Sequence, residues 1–174
     1  MEKSVNKILM SIFLILSFCA ISSGCGVYGF RGNNPPAGIN IIAIPTFEDV
    51  SGFSDPTLAE RLTQRLKEKT LNDNTFRLGD KNVADAVLNC AITNVRDEAI
   101  VISSGENVSR RKVTVTLLVK FENLKTQRKI WEKNFENYGE YNSSNNSFSE
   151  RAAGIETAVE RVTEDILIDL TSNW

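Results

Sequence analysis

Residues 113–121 show a strict alternation of side-chain character that constrains the fold more than any other part of the sequence. Every second residue is apolar, and the intervening residues are mostly threonine or lysine. Successive side chains of a β-strand point to opposite faces, so this pattern predicts a strand in a sheet with one buried face. The apolar positions are Val113, Val115, Leu117, Val119 and Phe121.

Two further segments should pair with this strand. A turn over residues 123–128 separates it from residues 130–138, and the two strands are expected to form a hairpin. Residues 85–95 also have a strand pattern. Between that strand and the alternating one, residues 103–105 (Ser-Ser-Gly) are expected to form the tip of a second long hairpin.

Two shorter strands are predicted nearer the start of the chain. Residues 39–47 are almost continuously apolar, which is typical of a strand covered on both faces or at the centre of a sheet. Pro45 would remove one ladder hydrogen bond, so the far end of this strand should be an edge or a bulge. Residues 76–78 form a brief third strand after an Asn-Asp-Asn turn.

Two segments have the spacing of amphipathic helices. After Asp55-Pro56, a typical helix start, leucine recurs every four residues at positions 58, 62 and 66. Thr57 with Glu60 offers an alternative capping box there, and Ser147 with Glu150 offers one at the second, longer helix. The apolar residues of the second helix advance by three or four positions: Ala152, Ile155, Val159, Val162, Ile166 and Leu170.

The order β-α-β-β-β-β-α predicts an α+β fold. We expect a two-layer sandwich, in which a mixed four- to five-stranded sheet is covered on one face by two helices. Residues 39–174 should form this single domain.

The first 24 residues have the composition of a lipoprotein signal peptide that is removed. Lys3 and Lys7 precede an apolar run over residues 8–21, which is too short for a comfortable membrane span. Ser-Ser-Gly-Cys at residues 22–25 is similar to a bacterial lipobox, which makes Cys25 the candidate lipidation site. An ordinary signal peptide with a chance cysteine is the alternative. Residues 25–38 would form the lipidated N-terminus and a short tether.

The composition argues against catalysis. The 174-residue chain has no histidine, which excludes Ser-His-Asp and Cys-His systems and metal sites that use histidine. We expect no enzyme, no catalytic residue, no metal and no cofactor. The 20 Lys+Arg and 22 Asp+Glu give a net charge of -2, which offers no general attraction for nucleic acid. Cys90 is in phase with Leu88 and Ile92, which indicates a core residue.

Four segments carry a family resemblance. They are residues 25–32 (CGVYGFRG), 42–48 (IAIPTFE), 84–88 (ADAVL) and Trp131-Glu132 after a turn in which Gln127 stands at a usual glycine position. In this order and spacing they resemble the lipopolysaccharide (LPS)-assembly lipoprotein family LptE, in the form found outside the enterobacteria. The resemblance covers essentially all of the chain after residue 24.

The resemblance implies a subunit of the LPS-transport translocon that plugs the outer-membrane β-barrel LptD in a 1:1 complex. Such a subunit helps the barrel assemble and aids LPS insertion into the outer leaflet. LPS contact in the family is attributed to basic residues near a hairpin tip and on the sheet. Here the candidate LPS-binding residues are Arg110, Arg111 and Lys112. The alternative for this cluster is an exposed sheet edge guarded by charge.

Resemblance to sorted lipoproteins also implies a location. Gly26, rather than aspartate, follows Cys25. This predicts a protein held by its lipid in the outer membrane and facing the periplasm.

A second resemblance leads to a different class of function. The strand that ends in Phe47-Glu48-Asp49, its Ser-Gly loop and the leucine-striped helix are also similar to LpoB and CsgG lipoproteins. These act as a peptidoglycan-synthase activator and as a secretion component, respectively. The polar Arg110–Lys112 segment argues against membrane-spanning strands of a pore, and the short tether argues against an LpoB-like activator.

Overall fold

A computed structural model describes residues 36–100, 110–143 and 147–172, which all belong to one compact unit. The predicted signal peptide, Cys25 and the predicted hairpin tip at residues 103–105 lie outside the described residues. Eight elements follow one another along the chain: β1 (Ile41–Ala43), β2 (Glu48–Asp49), α1 (Leu58–Asp73), β3 (Arg77–Leu78), β4 (Ala86–Ala99), β5 (Arg110–Asn123), β6 (Arg128–Asn142) and α2 (Ser147–Ser172).

The strands form one mixed sheet in the order β3-β1-β4-β5-β6, and β2 pairs with β4. Strand β1 is parallel to β3 and β4, whereas β4, β5 and β6 are antiparallel to their neighbours. The predicted α+β class with a mixed sheet and two helices is confirmed, but the sheet has six strands rather than four to five. The additional strand is β2. The predicted strand over residues 39–47 ends as β1 at Ala43, before Pro45. The chain pairs with β4 again at Glu48–Asp49, in a segment whose polar residues and Gly52 suggest a loop.

Both predicted hairpins are confirmed, and their strands are longer than expected. Strand β4 pairs with β5 from Ala86↔Asn123 to Ala99↔Arg111, beyond the predicted end at residue 95. Strand β6 continues to Asn142, beyond the predicted residue 138. The extension of β4 over residues 96–99 is mostly charged, and that of β6 over residues 139–142 has only Gly139 and the buried Tyr141 on its core side, so neither shows a clear apolar alternation. Backbone pairing across the hairpins carries them instead.

The core lies between the helices and one face of the sheet. Leu58, Leu62 and Leu66 of α1 are fully buried, and Cys90 is buried with them. Burial raises the pKa of the Cys90 thiol, as expected for a core residue. Ala152, the first residue of the predicted apolar stripe on α2, is exposed. The rest of the stripe and the apolar face of β5 complete the core: Ile155, Val159, Val162, Ile166, Leu170, Val113, Val115, Leu117, Val119 and Phe121.

Ion pairs fix the two helices side by side. The basic residues of α1 that face α2 each meet a glutamate of that helix, rather than remaining solvated as the sequence pattern suggests. The pairs are Arg61–Glu156 at 2.5 Å, Arg65–Glu160 at 3.3 Å, Lys69–Glu160 at 2.7 Å and Lys69–Glu164 at 2.6 Å. Because most of these side chains are partly exposed, each pair contributes only about 0–1 kcal/mol. They therefore select helix orientation more than they add stability.

Asp85 joins the starts of β1 and β4. Its Oδ2 accepts hydrogen bonds from the backbone N–H groups of Asn40 and Ile41, both at 2.9 Å, and its Oδ1 lies 2.5 Å from Lys125 Nζ. The hydrogen bond from Lys125, followed by those from the two backbone groups, holds the pKa of this carboxyl well below its usual 3.8. The folded chain therefore favours the ionised form of Asp85.

This arrangement predicts a loss of stability in acid. Because the pKa of Asp85 is lower in the folded chain, its contribution is fully present above the unfolded pKa. It is lost as the pH falls through the folded pKa, so the free energy of unfolding should decline below about pH 5. Asp85→Asn should lower that free energy at neutral pH and flatten the decline. Urea midpoints over the acid range test this, and an unchanged slope in the variant would contradict it.

The turn between β5 and β6 contains a strained residue at the position where the family resemblance leads us to expect glycine. Gln127 has φ of 53°, a left-handed conformation that costs a side-chain-bearing residue about 1–2 kcal/mol. We expect Gln127→Gly to raise the free energy of unfolding by about 0.5–1 kcal/mol, since glycine has no Cβ to clash. The same change at Arg128, the first residue of β6, should destabilise. Thermal melts measure both, and a lower melting temperature for Gln127→Gly would overturn the strain argument.

Candidate functional site

The sheet face opposite the helices carries many polar and charged side chains, and we call it the open face. Residues that pair directly across antiparallel strands point to the same face. Since Val113 and its apolar partners face the helices, the alternate residues of β4, β5 and β6 face outward. The open face includes Asn94, Arg96, Glu98, Arg110, Lys112, Thr114, Thr116, Leu118, Lys120, Glu132, Asn134, Glu136, Tyr138 and Glu140.

Charges on the open face are arranged in cross-strand pairs. Each basic residue of these pairs lies close to a glutamate on another strand of the sheet, which leaves the surface hydrophilic but locally neutral. The pairs are Lys112–Glu98 at 3.7 Å, Arg96–Glu136 at 3.4 Å, Lys120–Glu132 at 3.4 Å and Arg110–Glu140. Solvent screens such pairs, so they add little to stability and remain available to exchange partners on binding.

The structure separates the three candidate LPS-binding residues. Arg110 and Lys112 lie on the open face, each next to a glutamate. Arg111 lies on the opposite face of the same strand, because successive side chains alternate. The run is therefore not one basic patch. Extending the alternation of residues 113–121 back by two positions would have placed Arg111 on the core side.

Arg111 belongs to a polar cluster that closes one end of the core around Asp97. Its Nε lies 2.9 Å from Asp97 Oδ1, Arg151 Nε lies 2.7 Å from Oδ2, and the Tyr141 hydroxyl donates to the same carboxylate at 2.9 Å. Burial alone raises the pKa of Asp97, but the hydrogen bonds from Arg151, Arg111 and Tyr141 outweigh it and leave the pKa lowered. This geometry assigns Arg111 a structural role.

Tyr138 marks the point where the open face meets the edge of β6. Lys112 Nζ lies 5.7 Å from its ring centre, and the Arg161 guanidinium lies 5.6 Å from the same centre. Arg161 also donates a hydrogen bond to the Tyr138 carbonyl at 2.8 Å. Helix α2 thus covers part of this edge, which otherwise would offer unpaired backbone groups to another strand. Sequence periodicity gave no signal for these contacts between β6 and α2.

The described residues hold neither a cluster of metal ligands nor a helix suited to crossing a membrane. In the described ranges, no three or more Cys, Asp or Glu residues are grouped so that they would hold a metal ion. Neither described helix combines the length and the hydropathy that a membrane crossing requires.

Solved structures share the fold at low sequence identity. A Xanthomonas campestris protein is 14% identical over 78% of this chain and 88% of its own, with a TM-score of 0.54. A minor lipoprotein from Acinetobacter baumannii is 13% identical over 78% and 92%, also with a TM-score of 0.54. A PelC dodecamer protein from Paraburkholderia phytofirmans is 11% identical over 81% and 95%, with a TM-score of 0.53. These likenesses concern the fold alone.

Sequence comparisons identify the family. No curated protein sequence matches the chain significantly. A family model, LptE, described as lipopolysaccharide-assembly, matches residues 39–170, which hold every helix and strand of the fold almost to the end of α2. The chain therefore belongs to the LptE family of lipopolysaccharide-assembly lipoproteins.

Proposed function

We propose that this protein is the lipoprotein subunit of an LPS-transport translocon and that it plugs an LptD-like outer-membrane β-barrel in a 1:1 complex. In this role it helps the barrel assemble and aids LPS insertion into the outer leaflet, without catalysing a reaction. The family match over residues 39–170 carries the proposal.

The open face supports the proposal chemically. The interior wall of an outer-membrane barrel is polar, so a plug must present hydrophilic groups without burying unpaired charge. Pairs such as Lys112–Glu98 and Arg96–Glu136 already neutralise each other. Such a face loses less on desolvation than a surface of single charges and can exchange hydrogen bonds with polar side chains of the wall.

Affinity purification from detergent-solubilised outer membranes tests the partnership. We expect a tagged chain to recover one large β-barrel protein in equimolar amount. Recovery of a peptidoglycan synthase without a large β-barrel would overturn the proposal in favour of an LpoB-like activator. Substitution of both Arg96 and Lys120 on the open face by glutamate should reduce recovery of the barrel. Matched glutamates at Arg65 and Lys69, on the helix side, should leave more of it bound.

The anchor is part of the same proposal. Residues 1–24 act as the signal peptide, Cys25 carries the lipid and residues 25–38 tether the domain 39–174 to the periplasmic side of the outer membrane. Two or more acyl chains form a durable anchor, because each buried methylene contributes about 0.8 kcal/mol. Mass spectrometry of the mature chain should show acylated Cys25 at the N-terminus. Cys25→Ser should abolish acylation, and an unmodified chain that begins elsewhere would refute the assignment.

The proposal keeps two of the three candidate LPS-binding residues, Arg110 and Lys112. Arg110 and Lys112 share the open face, so together they can approach phosphates of LPS. Replacing both by glutamine should weaken LPS binding by the purified chain. Arg111→Gln should instead lower the melting temperature, because its side chain pairs with Asp97. If the double variant bound LPS as well as the unaltered chain, Arg110 and Lys112 would have the alternative role of charges that protect an exposed sheet edge from pairing.

A further inference from the structure

A shallow groove of about 730 Å³ lies at the ends of the parallel strands β1 and β3. We call it the strand-end groove. Its floor includes the buried side chains of Ala43 and Ile44 and the half-buried Leu78. Lys67 of α1 and Lys81 of the β3–β4 connection line it, together with Asp80.

The topology explains why a groove forms at this place. Strands β1 and β3 are adjacent and parallel, so their carboxyl ends, at Ala43 and Leu78, meet at one side of the sheet. The chain turns away at Pro45 before it pairs again as β2, which leaves a crevice beyond these ends. In open α/β sheets, ligands bind beyond the carboxyl ends of parallel strands where the strand order reverses, and here β3 and β4 lie on opposite sides of β1.

Lys67 of α1 and Lys81 of the β3–β4 connection have no ion-pair partner among the described residues, unlike most basic residues of α1. Arg61, Arg65 and Lys69 each pair with a glutamate of α2. Within the part of the chain that the structure describes, neither Lys67 nor Lys81 lies within ion-pair distance of a carboxylate, although both line the same groove. With Asp80 counted, the lining carries a net charge of about +1, from two ammonium groups and one carboxylate.

We infer that the strand-end groove binds a phosphorylated sugar headgroup. Each ammonium group is a compact point charge that suits phosphate. The apolar floor suits the C–H faces of a sugar ring, and the volume falls within the range of small-molecule sites and exceeds that of a phosphate ion alone. The identity of the headgroup rests on the proposed role in LPS assembly, whereas the charge argument rests on the groove itself.

Calorimetry on the purified full chain in detergent tests the inference, with a soluble bisphosphorylated glucosamine disaccharide as the probe. We expect binding of this probe, weaker binding of inorganic phosphate, and none of the unphosphorylated disaccharide. The double variant Lys67→Gln, Lys81→Gln should bind about tenfold more weakly. Asp80→Asn should bind about two- to threefold more tightly, because it removes the only repulsive charge of the lining.

The matched control is the double variant Arg128→Gln, Lys129→Gln. It removes the same charge from β6, at the opposite edge of the sheet, and should bind like the unaltered chain. Equal weakening in both double variants would overturn the groove, as would unchanged affinity in the lysine variant. Equal affinity for inorganic phosphate would overturn the headgroup assignment. The calorimetry contains no barrel protein, so its failure would not contradict the proposed barrel partnership. That partnership is tested separately by affinity purification.

Discussion

Gly139→Ala should lower the free energy of unfolding by about 3 kcal/mol, at the upper end of the usual cost of overpacking. A Cβ at residue 139 of β6 would lie 1.9 Å from the carbonyl oxygen of Gly154 on α2 and 2.8 Å from Thr157 Cβ. Neither group can move away alone, because the Gly154 carbonyl is helix backbone and the Thr157 Cβ is bonded directly to that backbone. The helix would have to lift from the strand, and a thermal melt should show a decrease of about 10 °C.

The reciprocal change, Gly154→Ala, is the control. A Cβ there would lie 3.2 Å from Tyr141 Cδ1, 3.3 Å from Tyr141 Cβ and 3.5 Å from the Gly139 carbonyl oxygen, which are tight contacts but no overlap of the kind found at Gly139. Alanine gains about 1 kcal/mol of helix propensity over glycine, which should offset these tight contacts. We expect a small change in melting temperature. If Gly139→Ala were as mild as Gly154→Ala, the close approach of α2 to β6 would be wrong.

Asp97→Ala should lower the free energy of unfolding by about 2 kcal/mol. It removes the shared partner of Arg111, Arg151 and the Tyr141 hydroxyl. Two guanidinium groups would then face each other across the end of the core without a carboxylate between them. Chemical denaturation of the variant and the unaltered chain measures the loss.

Glu98→Ala provides a matched control one residue away. Glu98 lies on the open face, and its ion-pair partner among the described residues is Lys112, at 3.7 Å, with both side chains well exposed. The change should cost less than about 0.5 kcal/mol. Equal losses for the two variants would contradict the distinction between a structural cluster on the core side and a screened charge pair on the open face.

Most of the fold was predictable because its elements have clear periodicity. The alternation at residues 113–121, the leucines of α1 and the apolar stripe of α2 identified strand β5 and both helices. Pro45 signalled an end to regular pairing of the first strand, but the two residues of β2 are too few to leave a recognisable pattern. The far ends of β4 and β6 were missed, because they carry no clear apolar alternation and are defined by cross-strand backbone pairing.

The candidate site was predictable only in part. Arg110, Arg111 and Lys112 are adjacent in the sequence, but successive side chains of a strand point to opposite faces of the sheet, so Arg111 lies apart from the other two. The strand-end groove left no motif, because residues 43–46, 67 and 78–81 come together only when α1 packs beside the strands. That Lys67 and Lys81 lack ion-pair partners among the described residues also follows only from the tertiary structure, because most ion pairs of the basic residues of α1 join it to α2.

The sequence by itself determined the family, the order of the elements and the buried face of most of them, because these depend on local periodicity and on short segments that resemble those of the family. Only the tertiary structure decided the close approach of Gly139 to Gly154, the cluster around Asp97 and the pairing of charges on the open face. These features join residues far apart in sequence. They depend on strand register and helix position, which are set by packing of the whole core rather than by any one segment.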